Sequence, residues 1–117
     1  KATVEAVRKS FPEHYVCAVL ELHTFSSLQK NFLSEYEGSM SQASKSIVFF
    51  DDHVFEMKQL PKISKEEVES AFGDVKALNE LGELRVILQS VQDRPIIYLM
   101  MSSGSFRGLK FPDDIVA

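Results

Sequence analysis

Hydrophobic and polar positions change rhythm several times along the chain, and each change predicts an element. From Lys1 to Ser10 the apolar residues Val4 and Val7, continued by Phe11, keep helical spacing, and Pro12 closes the segment. Tyr15 to Leu22 (YVCAVLEL) is apolar and β-branched without clean alternation, the pattern of a strand covered on both faces. A short polar loop, His23 to Ser26, follows. Ser26 or Ser27 is placed to cap a helix reaching about Met40, with Leu28, Phe32, Tyr36 and Met40 as its apolar stripe. Ser46 to Phe50 (SIVFF) predicts a second buried strand that ends in Asp51-Asp52 and leads into a loop with Pro61 near its end. Ser64 and Glu67 have the spacing of a capping box for a helix over Lys65–Phe72, stopped by Gly73. Val75 to Leu78 predicts a short strand. Asn79 then caps a helix carrying Leu81, Leu84, Leu88 and Val91 on one face. Asp93-Arg94-Pro95 turns the chain into a third long strand, Ile96–Met101, and a glycine-containing tail begins at Ser102.

Helices and strands alternate, which predicts an α/β fold: a Rossmann-like three-layer domain with a mostly parallel sheet and helices on both faces. A right-handed crossover needs a strand on each side, yet the first helix has none before it. The expectation is therefore a domain over residues 1–117 with its first strand missing.

Composition narrows the function classes. At 117 residues the chain suits one domain, and 44% hydrophobic with 26% charged residues is ordinary globular usage. The net charge of −4, without a basic cluster, argues against nucleic acid, which needs a cationic stripe. The longest apolar runs fall far short of the ~20 residues that span a bilayer, so no membrane partner is expected. Cys17 is the only cysteine. It lies in an apolar run, reads as a small buried hydrophobe, and fits a reducing, cytoplasmic setting.

Ligands of open α/β sheets bind beyond the carboxyl ends of the strands, which directs attention to three loops. His23–Ser27 enters a helix N-terminus, whose amides and hydroxyls suit a carboxylate or phosphate; plain capping by Ser26 or Ser27 is the rival reading. His23 either orients a substrate or faces solvent. Asp51-Asp52-His53 lacks metal-ligand spacing and reads better as a solvated strand end, with no metal site expected. A receiver module would need a phospho-acceptor Asp and a Lys after later strands, whereas the last strand ends in Ser102. Ser102–Gly108 (SSGSFRG) offers small residues whose amides approach an anion closely, but it is neither a G-K-S/T loop nor G-x-G-x-x-G. A flavodoxin-like binding domain would want a phosphate loop after the first strand, and His23–Ser27 has no glycine. These residues assemble no nucleophile with a base and no acid–base pair, so no catalytic residue is assigned.

Two segments carry a family resemblance. The run from Val19 to Leu28 (VLELHTFSSL) resembles the strand and loop of the C-terminal domain of Mur ligases, which reads F-Q-P-H-x-Y-S-R-T in the alanine-adding members. Tyr98 to Gly108 (YLMMSSGSFRG) resembles the closing loop of murein peptide ligases, M-S-N-G-G-F-G-G. His23, Ser26, Ser102 and Gly104 match family positions. Ser27 stands where alanine-adding enzymes have Arg, and Ser103, Ser105 and Arg107 replace Asn and Gly of the closing loop.

The resemblance implies the C-terminal, acceptor-binding domain of an ATP-dependent amide ligase of peptidoglycan recycling. Such an enzyme joins UDP-N-acetylmuramate to the tripeptide L-alanyl-γ-D-glutamyl-meso-diaminopimelate. ATP activates the sugar-linked carboxylate as an acyl phosphate, which the peptide amine attacks. ATP and Mg²⁺ are implied for the whole enzyme, on a preceding central domain, and neither is expected on this fragment, which is expected to be inactive alone. His23, Ser26, Ser102, Ser103 and Gly104 are the implied substrate-binding residues, with the Ser102 hydroxyl bonding an acceptor carboxylate. The alternatives are an L-alanine-adding ligase domain, a receiver-like module and a flavodoxin-like module.

Overall fold

The apolar run after Pro12 forms the centre of the sheet. A computed structural model of the chain describes residues 2–22, 33, 35–90 and 96–102. Its elements are α1 (Ala2–Ser10), β1 (Tyr15–Glu21), β2 (Lys45–Phe49), α2 (Asp52–Met57), α3 (Lys65–Phe72), β3 (Lys76–Leu78), α4 (Leu81–Ser90) and β4 (Ile96–Met101). The four strands lie in the order β3-β2-β1-β4, and every neighbouring pair is parallel. The predicted α/β class and Rossmann-like architecture are thus observed.

Alternate residues of each strand serve opposite faces, as the two-residue period requires. Ala18, Val48 and Ala77 join Val4 of α1, Val54 and Phe55 of α2, and Val68 and Phe72 of α3 in one core. Cys17, Val19, Ile47, Phe49 and Leu78 face the other way and meet Leu84 and Leu88 of α4. Both faces are therefore covered, which is why β1 and β2 read as unbroken apolar runs. β4 differs, because all six of its residues are only half-buried. Cys17 is fully buried, and desolvation raises its thiol pKa to about 11, the state of an inert core side chain.

Local signals fixed some boundaries and missed others. α3 has the predicted limits: Ser64 and Glu67 exchange hydrogen bonds as a capping box, and Gly73 ends the helix at φ +86°. β4 also matches its predicted span. The loop expected after Asp51 is instead helix α2. Asp51 has extended backbone and accepts a bond from the His53 amide at 3.0 Å, while Val54 and Phe55 anchor the turn in the core. The helix expected to reach Met40 does not hold its α form over residues 35–40. Three-residue bonds such as Ser39 N to Tyr36 O and Ser41 N to Gly38 O tighten the chain there, with Gly38 at φ +72°. The earlier part of that helix lies outside the described residues. Asn79 is not the cap expected of it. α4 starts at Leu81, the Leu84 amide bonds the Glu80 carbonyl, and the Asn79 side-chain amide reaches Asp52 at 3.2 Å. Phe11, placed on the apolar stripe of α1 by its spacing, is 45% exposed and packs edge-on against His14.

Candidate functional site at the carboxyl ends of β1 and β4

Strand order gives the loops their relation. From β1 the chain moves outward to β2 and then β3, with α2 and α3 on one face; α4 returns on the opposite face to β4, on the far side of β1. Right-handed connections running in opposite directions must lie on opposite faces. The direction reverses between β1 and β4, and this topological switch point is where open parallel sheets open a crevice at their carboxyl ends.

β1 and β4 are in register from Tyr15 with Ile96 to Leu20 with Met101. The next residues are Glu21 and Ser102, and the Ser102 hydroxyl donates a hydrogen bond to Glu21 Oε1. Glu21 is 6% exposed, whereas Ser102 is exposed. A charged side chain is seldom this buried without hydrogen bonding. Two amides just beyond the strands continue the ladder: Leu22 N bonds Phe49 O at 2.9 Å, and Phe50 N bonds the Leu78 carbonyl at the end of β3 at 3.0 Å.

Two of the three loops singled out in the sequence leave from this point, one after β1 and the other after β4. Of the predicted site residues Ser102 stands beside Glu21, to which its hydroxyl donates. His23, Ser26, Ser103 and Gly104 lie outside the described residues. Asp51 is occupied in capping α2 and Asp52 accepts from Asn79, while His53 and Glu56 form an exposed pair at 3.5 Å. Sequence reasoning passed over Glu21. Its signal was the one charge inside Tyr15–Leu22.

A cavity of about 200 Å³ lies elsewhere, between the Glu37–Ser41 turn and the Phe72–Val75 segment. Both stretches precede strands, so it opens at the amino ends of β2 and β3, away from the switch point. Among the described residues no group of three His, Cys, Asp or Glu side chains is arranged to hold a metal ion. The described strand ends offer no set of residues fitted to Mg²⁺ or the phosphates of ATP. Among the same residues no helix is long and apolar enough to cross a membrane.

No protein-family model and no curated protein matches the chain. A solved structure does: a domain from Haemophilus ducreyi, taken to belong to a UDP-N-acetylmuramate:L-alanyl-gamma-D-glutamyl-meso-diaminopimelate ligase. The likeness has a TM-score of 0.55 and 19% identity, covering 92% of this chain and 72% of that one. It shows a shared fold, and it falls on the same kind of ligase that the sequence motifs resemble.

Proposed function

We propose that this chain is the acceptor-binding C-terminal domain of an ATP-dependent amide ligase, one that joins UDP-N-acetylmuramate to the murein tripeptide L-alanyl-γ-D-glutamyl-meso-diaminopimelate. The observation that carries the reading is the adjacency of β1 and β4 at the switch point. It sets side by side the starts of the two loops that carry the family resemblance, at the end of the sheet where ligands bind. The likeness to a domain of such a ligase supports it.

In this reading the His23–Ser27 loop, including Ser26, supplies amide and hydroxyl donors to the carboxylates of the peptide. Ser103 and Gly104 let the backbone of the closing loop approach it. ATP and Mg²⁺ belong to a preceding domain of a cytoplasmic enzyme, and they supply the acyl-phosphate chemistry there. The test is calorimetric titration of the 117-residue chain with the tripeptide, L-alanine, FMN and ATP. Tripeptide binding, weakened roughly 10- to 150-fold by His23→Ala, with no ATP hydrolysis, is the expected result. Preference for L-alanine would move the chain to the alanine-adding ligases. FMN binding without tripeptide binding would replace the ligase reading with a flavodoxin-like one.

A further inference from the structure

We infer that the cavity between the Glu37–Ser41 turn and the Phe72–Val75 segment is a socket for a basic side chain, lysine or arginine, of a partner protein. It opens at the amino ends of β2 and β3, so the inference stands apart from the acceptor-binding reading.

An apolar floor and an acidic rim carry it. Met40 and Phe72 line the cavity and are each 2% exposed, and Tyr36 stacks on Phe72 with ring centroids 4.9 Å apart. The floor therefore belongs to the close-packed core, which fixes its shape. Gly38 N donates to the Phe72 carbonyl at 3.0 Å and joins the two walls, while the Met40 carbonyl accepts from Ser46 Oγ at 2.9 Å. A site held in this way has little left to order on binding.

Glu37 stands on one wall and Asp74 on the other, and both are exposed. Among the described residues neither carboxylate enters a hydrogen bond or an ion pair. No Lys or Arg lines the cavity. The basic residues of the strands that follow, Lys45 and Lys76, share the face of Ile47 and Leu78 and so point to the α4 side of the sheet, whereas Met40 and Phe72 lie on the α2 and α3 side. Two unengaged carboxylates above a buried apolar floor complement an aliphatic stem that ends in a cation. Size selects the source. At about 200 Å³ the cavity is smaller than the roughly 300–1,000 Å³ of pockets that enclose a whole small molecule. A free amine of matching size has few atoms to offset the cost of association, whereas a side chain on a partner is joined by contacts around the mouth.

The experiment is an amide chemical-shift titration of the 117-residue chain with three probes. They are a capped Gly-Lys-Gly peptide, the same peptide with norleucine for lysine, which keeps the stem and removes the charge, and n-pentylamine. The lysine peptide is expected to give saturable shifts at Gly38, Ser41, Gly73 and Asp74. The norleucine peptide should bind roughly 2- to 30-fold more weakly, the worth of two exposed ion pairs, and added salt should narrow the gap. Glu37→Gln combined with Asp74→Asn should remove the preference for lysine and leave the norleucine peptide as it binds the wild type. Equal binding of the two peptides to the wild type, or no saturable shift at these amides, would overturn the inference. If n-pentylamine binds as tightly as the lysine peptide, the cavity serves a free amine and the partner protein is overturned. The comparison of probes on the wild type decides the matter even where the double variant folds poorly.

Discussion

The two ends of the sheet use their polar side chains differently. At the amino ends, side chains tie separate stretches of backbone together. The Arg8 guanidinium donates to the Gln42 carbonyl at 2.9 Å, the His14 carbonyl at 2.8 Å and Ser44 Oγ at 2.6 Å. Ser44 Oγ in turn accepts from Val16 N at 3.0 Å, and Ser46 Oγ donates to the Met40 carbonyl at 2.9 Å. At the carboxyl ends, continued ladder bonds already serve the backbone, and side chains from different segments pair with one another: Ser102 with Glu21, Asn79 with Asp52. Side chain–side chain bonds are the minority class in proteins. The amino end has one of its own, Arg8 to Ser44, but there it belongs to a web of bonds to loop backbone, and that web holds the turns before β1 and β2 in place.

The largest test of that contrast is Arg8→Ala. It removes a planar fork that joins α1 to the turns before β1 and β2, and it leaves two carbonyls and a hydroxyl short of a donor. We expect a loss of about 2–4 kcal/mol, since bonds to charged donors are worth more than neutral ones and the three are not additive. Arg8→Lys should recover less than half, because a single ammonium cannot reproduce the fork. Urea denaturation with an unchanged slope reads this directly. A cost below about 0.5 kcal/mol, the level of an ordinary surface change, would erase the distinction between the two ends.

Much of this arrangement was legible in the sequence wherever the cause is local. α3 was bounded correctly because its start and stop are both written in neighbouring residues, the Ser64–Glu67 box and Gly73. β4 was bounded by the turn before it and the small residues after it. α2 is not legible as a helix because six residues are too few to show a period, and its cap, Asp51, reads as a solvated strand end. Strand order was not legible, since nothing within Ile96–Met101 says which strand it will join. That adjacency depends on packing between residues about eighty positions apart in the chain, as Tyr15 and Ile96 show. Glu21 is visible as a charge in an apolar run, but its pairing with Ser102 is not, because it depends on that same adjacency. The half-burial of β4 was equally hidden, because apolar composition does not report how completely a strand is covered.

Gly73→Ala sharpens the picture of the amino end at a smaller scale. Gly73 has φ +86° and ψ −149°, a region nearly closed to residues with a β-carbon, and its amide bonds the Glu69 carbonyl at 3.0 Å. No atom lies within 4 Å of where the new methyl would stand, so crowding adds nothing and the cost is conformational. About 1–3 kcal/mol is expected. Gly82, in the first turn of α4, is equally uncrowded and has no positive φ; its change to Ala serves as the control and should stabilise by up to about 1 kcal/mol. Thermal melts of the two variants should therefore move in opposite directions. Equal losses would mean that space, rather than backbone conformation, governs this turn.

The smallest effect is expected at Asp51, and it asks whether every polar group at the carboxyl end belongs to the site. Asp51 follows β2 closely and its carboxylate accepts from the His53 amide at 3.0 Å, closing the first turn of α2. That role needs an oxygen on a short side chain and no charge. Asparagine supplies the oxygen, so Asp51→Asn should cost only about a few tenths of a kcal/mol, whereas Asp51→Ala should cost about 1 kcal/mol. Neither change should alter tripeptide binding once the fraction folded is matched, because the ligand is assigned to the β1–β4 crevice and Asp51 stands on the β2 side of β1. His23→Ala sets the opposite pattern, a large expected change in binding. Denaturation curves and tripeptide titrations of Asp51→Asn and Asp51→Ala, run beside His23→Ala, separate the cap from the binding loop. If Asp51→Asn weakens tripeptide binding as much as His23→Ala does, the site extends across β2, and Asp51 belongs to the binding surface rather than to a cap beside it.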